Sequence, residues 1–339
     1  MEMAPSSQPA AVDDRRRVDV RSFCEVDIEL EADAITFEGS GELAMRRVRL
    51  NPPAASDLVI DIEWSGVSTG TERLLWRGNM PPFPGLAYPL VPGYEAVGRV
   101  VWADENADRI GERVFVPGAR CFEDVQGLFG AAASRLVAPA ARVARVSMEP
   151  PEDAILFALA ATAYHALDGG EPPDLIVGHG VLGRLLARIA MALGAAPPVV
   201  WEVSPERLDG EGYAVIEPEC DARADYRSIY DVSGDPGLLD ELISRLKPGG
   251  EVTLAGFYAD RLSFAFPPAF MKEARLRVAA EWKDKDLKAV QSLINDGSLS
   301  LRGLITHRED AVRAGAAYRS AFEDPACLKM ILDWRRIHG

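Results

Sequence analysis

The chain has 339 residues and is 48% hydrophobic, which suggests two domains with ample cores. A net charge of −15 argues against non-specific binding to nucleic acid and disfavours electrostatic docking on anionic lipid. The longest nearly apolar run, residues 154–167, is too short and too polar at Tyr164 and His165 to cross a bilayer, and the first residues lack the charged-then-apolar pattern of a secretory signal.

Residues 1–17 carry Pro, Ser, Gln and an arginine triplet, Arg15 to Arg17, the composition of a disordered tail. From residue 18 to 150 the pattern is short strands with Pro and Gly turns. Leu58–Trp64 alternates, Ala96–Trp102 is a second strand and Arg113–Val116 a third, so this part is mostly β. Pro151 opens a helix that runs to Leu167. Four cysteines, Cys24, Cys121, Cys220 and Cys327, have no metal-ligand spacing and read as reduced thiols in a cytoplasmic protein.

Residues 174–183, Asp-Leu-Ile-Val-Gly-His-Gly-Val-Leu-Gly, carry the most specific local signal. Leu175–Val177 is a strand buried on both faces. Gly178 allows a tight turn, Gly180 lets a pyrophosphate approach the backbone, and Gly183 lets the next helix pack close to the strand. Val181 and Leu182 begin that helix, whose N-terminus offers free N–H groups and positive dipole to phosphates, and Gly194 ends it. Val199–Val203 is the next strand, and Glu202 falls 19 residues after Gly183. A carboxylate there accepts hydrogen bonds from a ribose diol and repels a 2′-phosphate, which favours NAD over NADP. His179 reads as a solvated loop residue. Strands at 228–233 and 250–256, with a helix at 236–246 and a turn at Leu246–Gly250, continue a doubly wound α/β sheet, so residues 151–282 form a Rossmann domain. Residues 283–339 follow, with helices opening at Asp286 and Asp310.

The β-rich first domain, Gly93-Tyr-Glu-Ala-Val-Gly98, the Gly178 loop, Lys247-Pro-Gly-Gly250 and Leu304-Ile-Thr-His307, in that order, resemble the medium-chain dehydrogenase/reductase superfamily. Segments 65–72, 75–85, 88–95 and 264–271 look like the bacteriochlorophyllide a dehydrogenase family within it. The resemblance implies a GroES-like catalytic domain, a cleft between two domains, and a C-terminal segment that returns to the first. It implies NAD-dependent oxidation of the 3-(1-hydroxyethyl) group of a tetrapyrrole to 3-acetyl. It also implies a homodimer paired through an edge strand, cytoplasmic and at most peripheral to the photosynthetic membrane.

Zinc members of the superfamily use Cys, His and Cys or Asp as metal ligands. The corresponding positions here are Ser68, Tyr94 and Ala158, and no such trio holds zinc. A base or relay must then accept the hydroxyl proton, and the candidates are Ser68, Thr71, Tyr94 and Glu95. A tyrosine base needs its pKa lowered from about 10. Glu95 reads as a supporting residue bonded to an arginine, and His165 and His307 as satisfied structural histidines that could also face the cleft. Thr162 is placed against the nicotinamide ring by the resemblance, or is a helix threonine bonded to its own backbone. By the same resemblance Ser233 would border the nicotinamide ribose and Gly256 the cofactor edge. Trp76, Phe83, Tyr88, Phe257 and Phe270 would wall a planar macrocycle, or simply pack the cleft or a dimer contact. Arg73 or Arg77 would pair with a propionate. Two other readings stay open: a zinc-free quinone or enone reductase, and a non-catalytic dinucleotide-binding sensor.

Overall fold

Alternating apolar strands build the first half. The computed structural model describes residues 30–338 apart from Phe83. The expected tail, Cys24 and Phe83 lie outside the described residues. Strands β1 (Glu31–Gly39) and β2 (Glu42–Arg49), which periodicity did not single out, form an antiparallel hairpin. β3 (Asp57–Val67) follows, and its Leu58, Ile60 and Ile62 are fully buried. Each such side chain contributes roughly 1.5–3 kcal/mol on leaving water. A short helix, α1 (Thr71–Trp76), then interrupts a region expected to be loop. β4 (Ala96–Ala103), β5 (Arg113–Val116), β6 (Arg135–Pro139) and β7 (Ala144–Arg145) complete this part of the sheet.

A 3₁₀ segment over Pro151–Leu156 leads into α2 (Phe157–Leu167). β8 (Leu175–Val177), α3 (Val181–Ala192), β9 (Val199–Trp201), β10 (Ala214–Ile216) and β11 (Tyr226–Asp231) come next. α4 (Leu239–Arg245), β12 (Leu246–Leu254), α5 (Phe266–Lys272) and β13 (Arg275–Val278) follow. Leu246–Gly250 was expected to be a turn; instead Leu246 already pairs with Tyr226, and the ladder shifts register before Ser228 meets Glu251.

These six strands form one parallel sheet in the order β10-β9-β8-β11-β12-β13. The order reverses between β8 and β11, which makes the crevice beyond their C-terminal ends the binding position of such a sheet. α6 (Asp284–Asn295) packs on α2, and His165 on α2 lies 2.8 Å from the Asp286 carboxylate. His165 is thus satisfied by a structural partner. β14 (His307–Asp310), α7 (Ala314–Glu323) and β15 (Met330–Asp333) end the described chain. β15 pairs antiparallel with β3, so the C-terminal segment completes the sheet of the N-terminal half in the order β14-β15-β3-β4-β5-β7, with β6 also on β3. The result is a Rossmann-type parallel sheet together with a β-rich unit that the C-terminal segment completes.

Candidate active site

At the end of β8 the backbone of Gly178 takes φ +101°, a value that side chains other than hydrogen rarely tolerate. A Cβ on Gly183 would collide with the Gly178 carbonyl oxygen, so only glycine lets α3 start this close to the strand. Gly180 faces open space and caps α3, with Val181 and Leu182 in the first turn. Glu202, just past β9, is buried and threads this loop to the strand end. One carboxylate oxygen accepts the His179 N–H at 3.0 Å, and the other accepts the Val203 and Ser204 N–H groups at 2.8 Å each. A carboxylate offers about four lone-pair sites, so acceptor capacity remains for a ribose hydroxyl.

His179 is not solvated as expected. Its ring is fully buried, 2.6 Å from the Arg207 carbonyl and 2.8 Å from the Tyr213 hydroxyl. Desolvation holds its pKa below the ordinary histidine value, so the ring is neutral and buttresses the loop. The other rim of the crevice is equally close. The Ser233 N–H and hydroxyl both donate to the Asp231 carboxylate, at 2.9 and 2.6 Å, and a Cβ on Gly256 would press on Val232 and Gly234. Thr162 donates to the Ala158 carbonyl at 2.8 Å, the arrangement of a helix threonine satisfied by its own backbone.

The proposed proton-handling residues meet around a buried polar cluster. The Tyr94 hydroxyl donates to Ser68 Oγ at 2.8 Å, and the Thr71 side chain draws the phenol pKa down against the effect of burial. Burial and the neighbouring Glu95 push the Tyr94 pKa well up, not down, so its surroundings suit a hydrogen-bond partner better than a free base. Glu95 is fully buried and pairs with Lys329, not with an arginine; among the described residues its second oxygen has no partner. Burial raises the Glu95 pKa against the pull of Lys329. A Cβ on Gly66 would strike both partners.

Sequence reading missed Glu72 here. Its carboxylate is fully buried and accepts the Ser68 N–H at 2.9 Å and the Tyr318 hydroxyl at 2.8 Å. Desolvation lifts its pKa to about 7. An acidic residue one position after Thr71 in a new helix was the available signal, but its burial depends on Tyr318, 246 residues away.

The aromatic residues separate. Trp76 packs edge-on to Phe37 at 5.6 Å and lies near Phe322, half-buried against the N-terminal core. The Tyr88 hydroxyl donates to the Leu75 carbonyl. Phe257 is exposed at the end of β12, with its carbonyl against Gly234 at the crevice rim. Phe270 packs against Phe266 with ring centroids 5.7 Å apart on the exposed face of α5. Arg73 has no carboxylate partner among the described residues, and Arg77 and Arg207 lie close enough to lower its pKa after desolvation does so. Arg207 itself donates to the Pro325 and Cys327 carbonyls.

The donor set at the positions of the superfamily's zinc ligands is one hydroxyl, one phenol and one methyl group, from Ser68, Tyr94 and Ala158. This set does not suit zinc.

The model of the alcohol dehydrogenase GroES-like domain matches residues 54–148. A 2-desacetyl-2-hydroxyethyl bacteriochlorophyllide A dehydrogenase of Cereibacter sphaeroides is 55% identical, covering 90% of this chain and 99% of the relative. One of the same name from Rhodobacter capsulatus is also 55% identical with the same coverage. Among solved structures, an Escherichia coli CFT073 alcohol dehydrogenase complexed with NADH superposes with a TM-score of 0.77 at 19% identity, covering 89% of this chain and 99% of that one. Acetophenone reductase of Geotrichum candidum in complex with NAD gives 0.77 at 17%, covering 90% and 97%. A doubly wound sheet with a glycine loop at its switch point, joined to a GroES-like unit, makes this chain a nicotinamide-dependent dehydrogenase of the medium-chain class acting on CH–OH. It belongs to the 2-desacetyl-2-hydroxyethyl bacteriochlorophyllide A dehydrogenase family.

Proposed function

We propose that this protein oxidises the 3-(1-hydroxyethyl) group of a (bacterio)chlorophyllide to 3-acetyl, with NAD as hydride acceptor and without zinc. The observation that carries this reading is the 55% identity, over almost the full length of both relatives, to proteins named for that substrate. The buried Glu202 at the end of β9 supports NAD, because a 2′-phosphate would set a second anion against its carboxylate. Gly178, Gly180, Val181, Leu182 and Gly183 would hold the pyrophosphate and Glu202 the adenosine ribose, with Ser233 and Gly256 at the nicotinamide end. When bound, the nicotinamide supplies the hydride chemistry.

The chain's own residues do the rest. Tyr94 and Ser68 take the hydroxyl's proton in step with hydride departure, and Glu95, fixed by Lys329, orients Tyr94 from the next position in the chain. Phe257 and Tyr88 offer apolar surface toward the macrocycle. Arg73 offers a charge to the propionate. Residues 18–150 and 283–339 act as the catalytic unit and 151–282 as the nucleotide unit. The edge strand β13, flanked by exposed Phe266, Phe270, Met271 and Val278, supports a homodimer through that edge.

The test is an absorbance assay in which purified protein, NAD and 3-hydroxyethyl bacteriochlorophyllide are mixed. NADH formation together with a shift of the macrocycle band to that of the 3-acetyl pigment is expected. No turnover with NAD binding intact would overturn the substrate, and preferential use of NADP would overturn the cofactor.

A further inference from the structure

Two buried carboxylates, Glu72 and Glu95, face one lysine. Lys329 pairs with Glu95, while among the described residues Glu72 accepts hydrogen bonds from neutral donors only, the Ser68 N–H and the Tyr318 hydroxyl. An uncompensated buried carboxylate is costly when ionised and favours taking a proton. It also sits where a proton would arrive. The Tyr94 hydroxyl donates to Ser68 Oγ at 2.8 Å, and the backbone N–H of the same Ser68 holds a Glu72 oxygen at 2.9 Å. Ser68 thus meets the phenol through its hydroxyl and the carboxylate through its backbone N–H, so the two groups lie on either side of one residue. Tyr94 is partly buried while Ser68 and Glu72 are buried, so the chain of hydroxyls runs inward from Tyr94 to Glu72.

We propose that Glu72 is the resident acceptor of the proton released when the alcohol is oxidised, reached through the Tyr94 and Ser68 hydroxyls. This rests on the zinc-free alcohol oxidation proposed above. The alcohol's C–H bond breaks with its electron pair passing to the nicotinamide, and the O–H pair becomes the second bond of the carbonyl. The hydroxyl proton goes to Tyr94 as the phenol's own proton moves to Ser68 and that of Ser68 to Glu72, so no tyrosinate forms. Glu72 does not touch substrate; it is a positioning residue that sets where the proton rests. The charged and titratable groups facing it are Tyr318 from α7, Lys329 ahead of β15, and Tyr94 and Glu95 ahead of β4. Their balance leaves the Glu72 pKa at about 7, so the group exchanges a proton near neutral pH.

The test pairs Glu72→Gln with Tyr318→Phe in the full-length protein. Wild-type kcat for alcohol oxidation should rise with pH through about 7, as Glu72 ionises. Glu72→Gln should lose that limb and lower kcat on the order of 10²-fold, with NAD affinity unchanged. Tyr318→Phe removes a bond that favours the carboxylate, so the limb should move to higher pH. Infrared titration without substrate gives an independent readout: a protonated-carboxyl band disappearing near neutral pH in the wild type and missing in Glu72→Gln. An unchanged pH limb in Glu72→Gln, or an unmoved limb in Tyr318→Phe, would overturn the proposal. So would the absence of a Glu72-dependent band, even if the wild type turns over no hydroxyethyl pigment. Failure of the substrate reading shows separately, as wild-type inactivity with the titrating band present.

Discussion

Glu202 serves the nucleotide loop twice, as an acceptor for three backbone N–H groups and as the expected ribose partner. A charge-assisted hydrogen bond of this kind contributes about 1.5–3 kcal/mol. Glu202→Ala should therefore weaken NAD binding by roughly tenfold to a hundredfold and reduce discrimination against NADP. Cofactor titration by fluorescence checks both, and unchanged selectivity would remove Glu202 from the ribose. His179 illustrates how burial overrides residue type. A histidine in a glycine loop reads as solvated, but Tyr213 and the Arg207 carbonyl enclose it and hold it neutral.

Among the elements, β13 and α1 carry the most consequence. β13 is an edge strand with exposed Val278, and an open edge is a template for another chain. Val278→Asp should convert a dimer to a monomer in sedimentation velocity while NAD binding persists; an unchanged sedimentation coefficient would move the interface elsewhere. α1 has only six residues and no side-chain cap. So short a helix is marginal alone and is held by burial of Glu72 and Leu75 against the rest of the domain. Its brevity explains why periodicity did not reveal it, and why Glu72, unlike the anticipated Thr71, was not expected beside the Tyr94 cluster.

Across the whole molecule, the Glu95–Lys329 pair joins two residues 234 apart in sequence and fastens the returning C-terminal strand to the site. Removing one partner of a buried pair leaves a bare charge, which costs about 3–5 kcal/mol. Lys329→Met should lower the denaturation midpoint sharply, and Glu95→Gln in the same chain should recover much of the loss. Equal destabilisation by the single and double variants would mean that lost packing, not the stranded carboxylate, dominates.

The parallel sheet was legible in the sequence because its signals are local. Leu175–Val177, Gly178, Gly183 and the four-residue apolar spacing of α3 are neighbours in the chain, and each constrains backbone geometry whatever folds around it. Glu202 was equally readable, since a strand and a helix of ordinary length place it. The buried polar cluster around Tyr94 was only partly so: Ser68, Thr71, Tyr94 and Glu95 were in view, but Glu72, Tyr318 and Lys329 were not. Their chemistry arises from burial and from partners more than two hundred residues away, and sequence spacing carries no information about either. The same holds for Trp76, whose packing against the core depends on Phe37 and Phe322. By itself the sequence determined that the chain binds a dinucleotide beside a β-rich unit, because backbone constraints and hydrophobic periodicity act locally. Only the tertiary structure decided which carboxylate pairs directly with Lys329 and which is held by neutral donors, because desolvation and charge pairing are properties of the packed molecule.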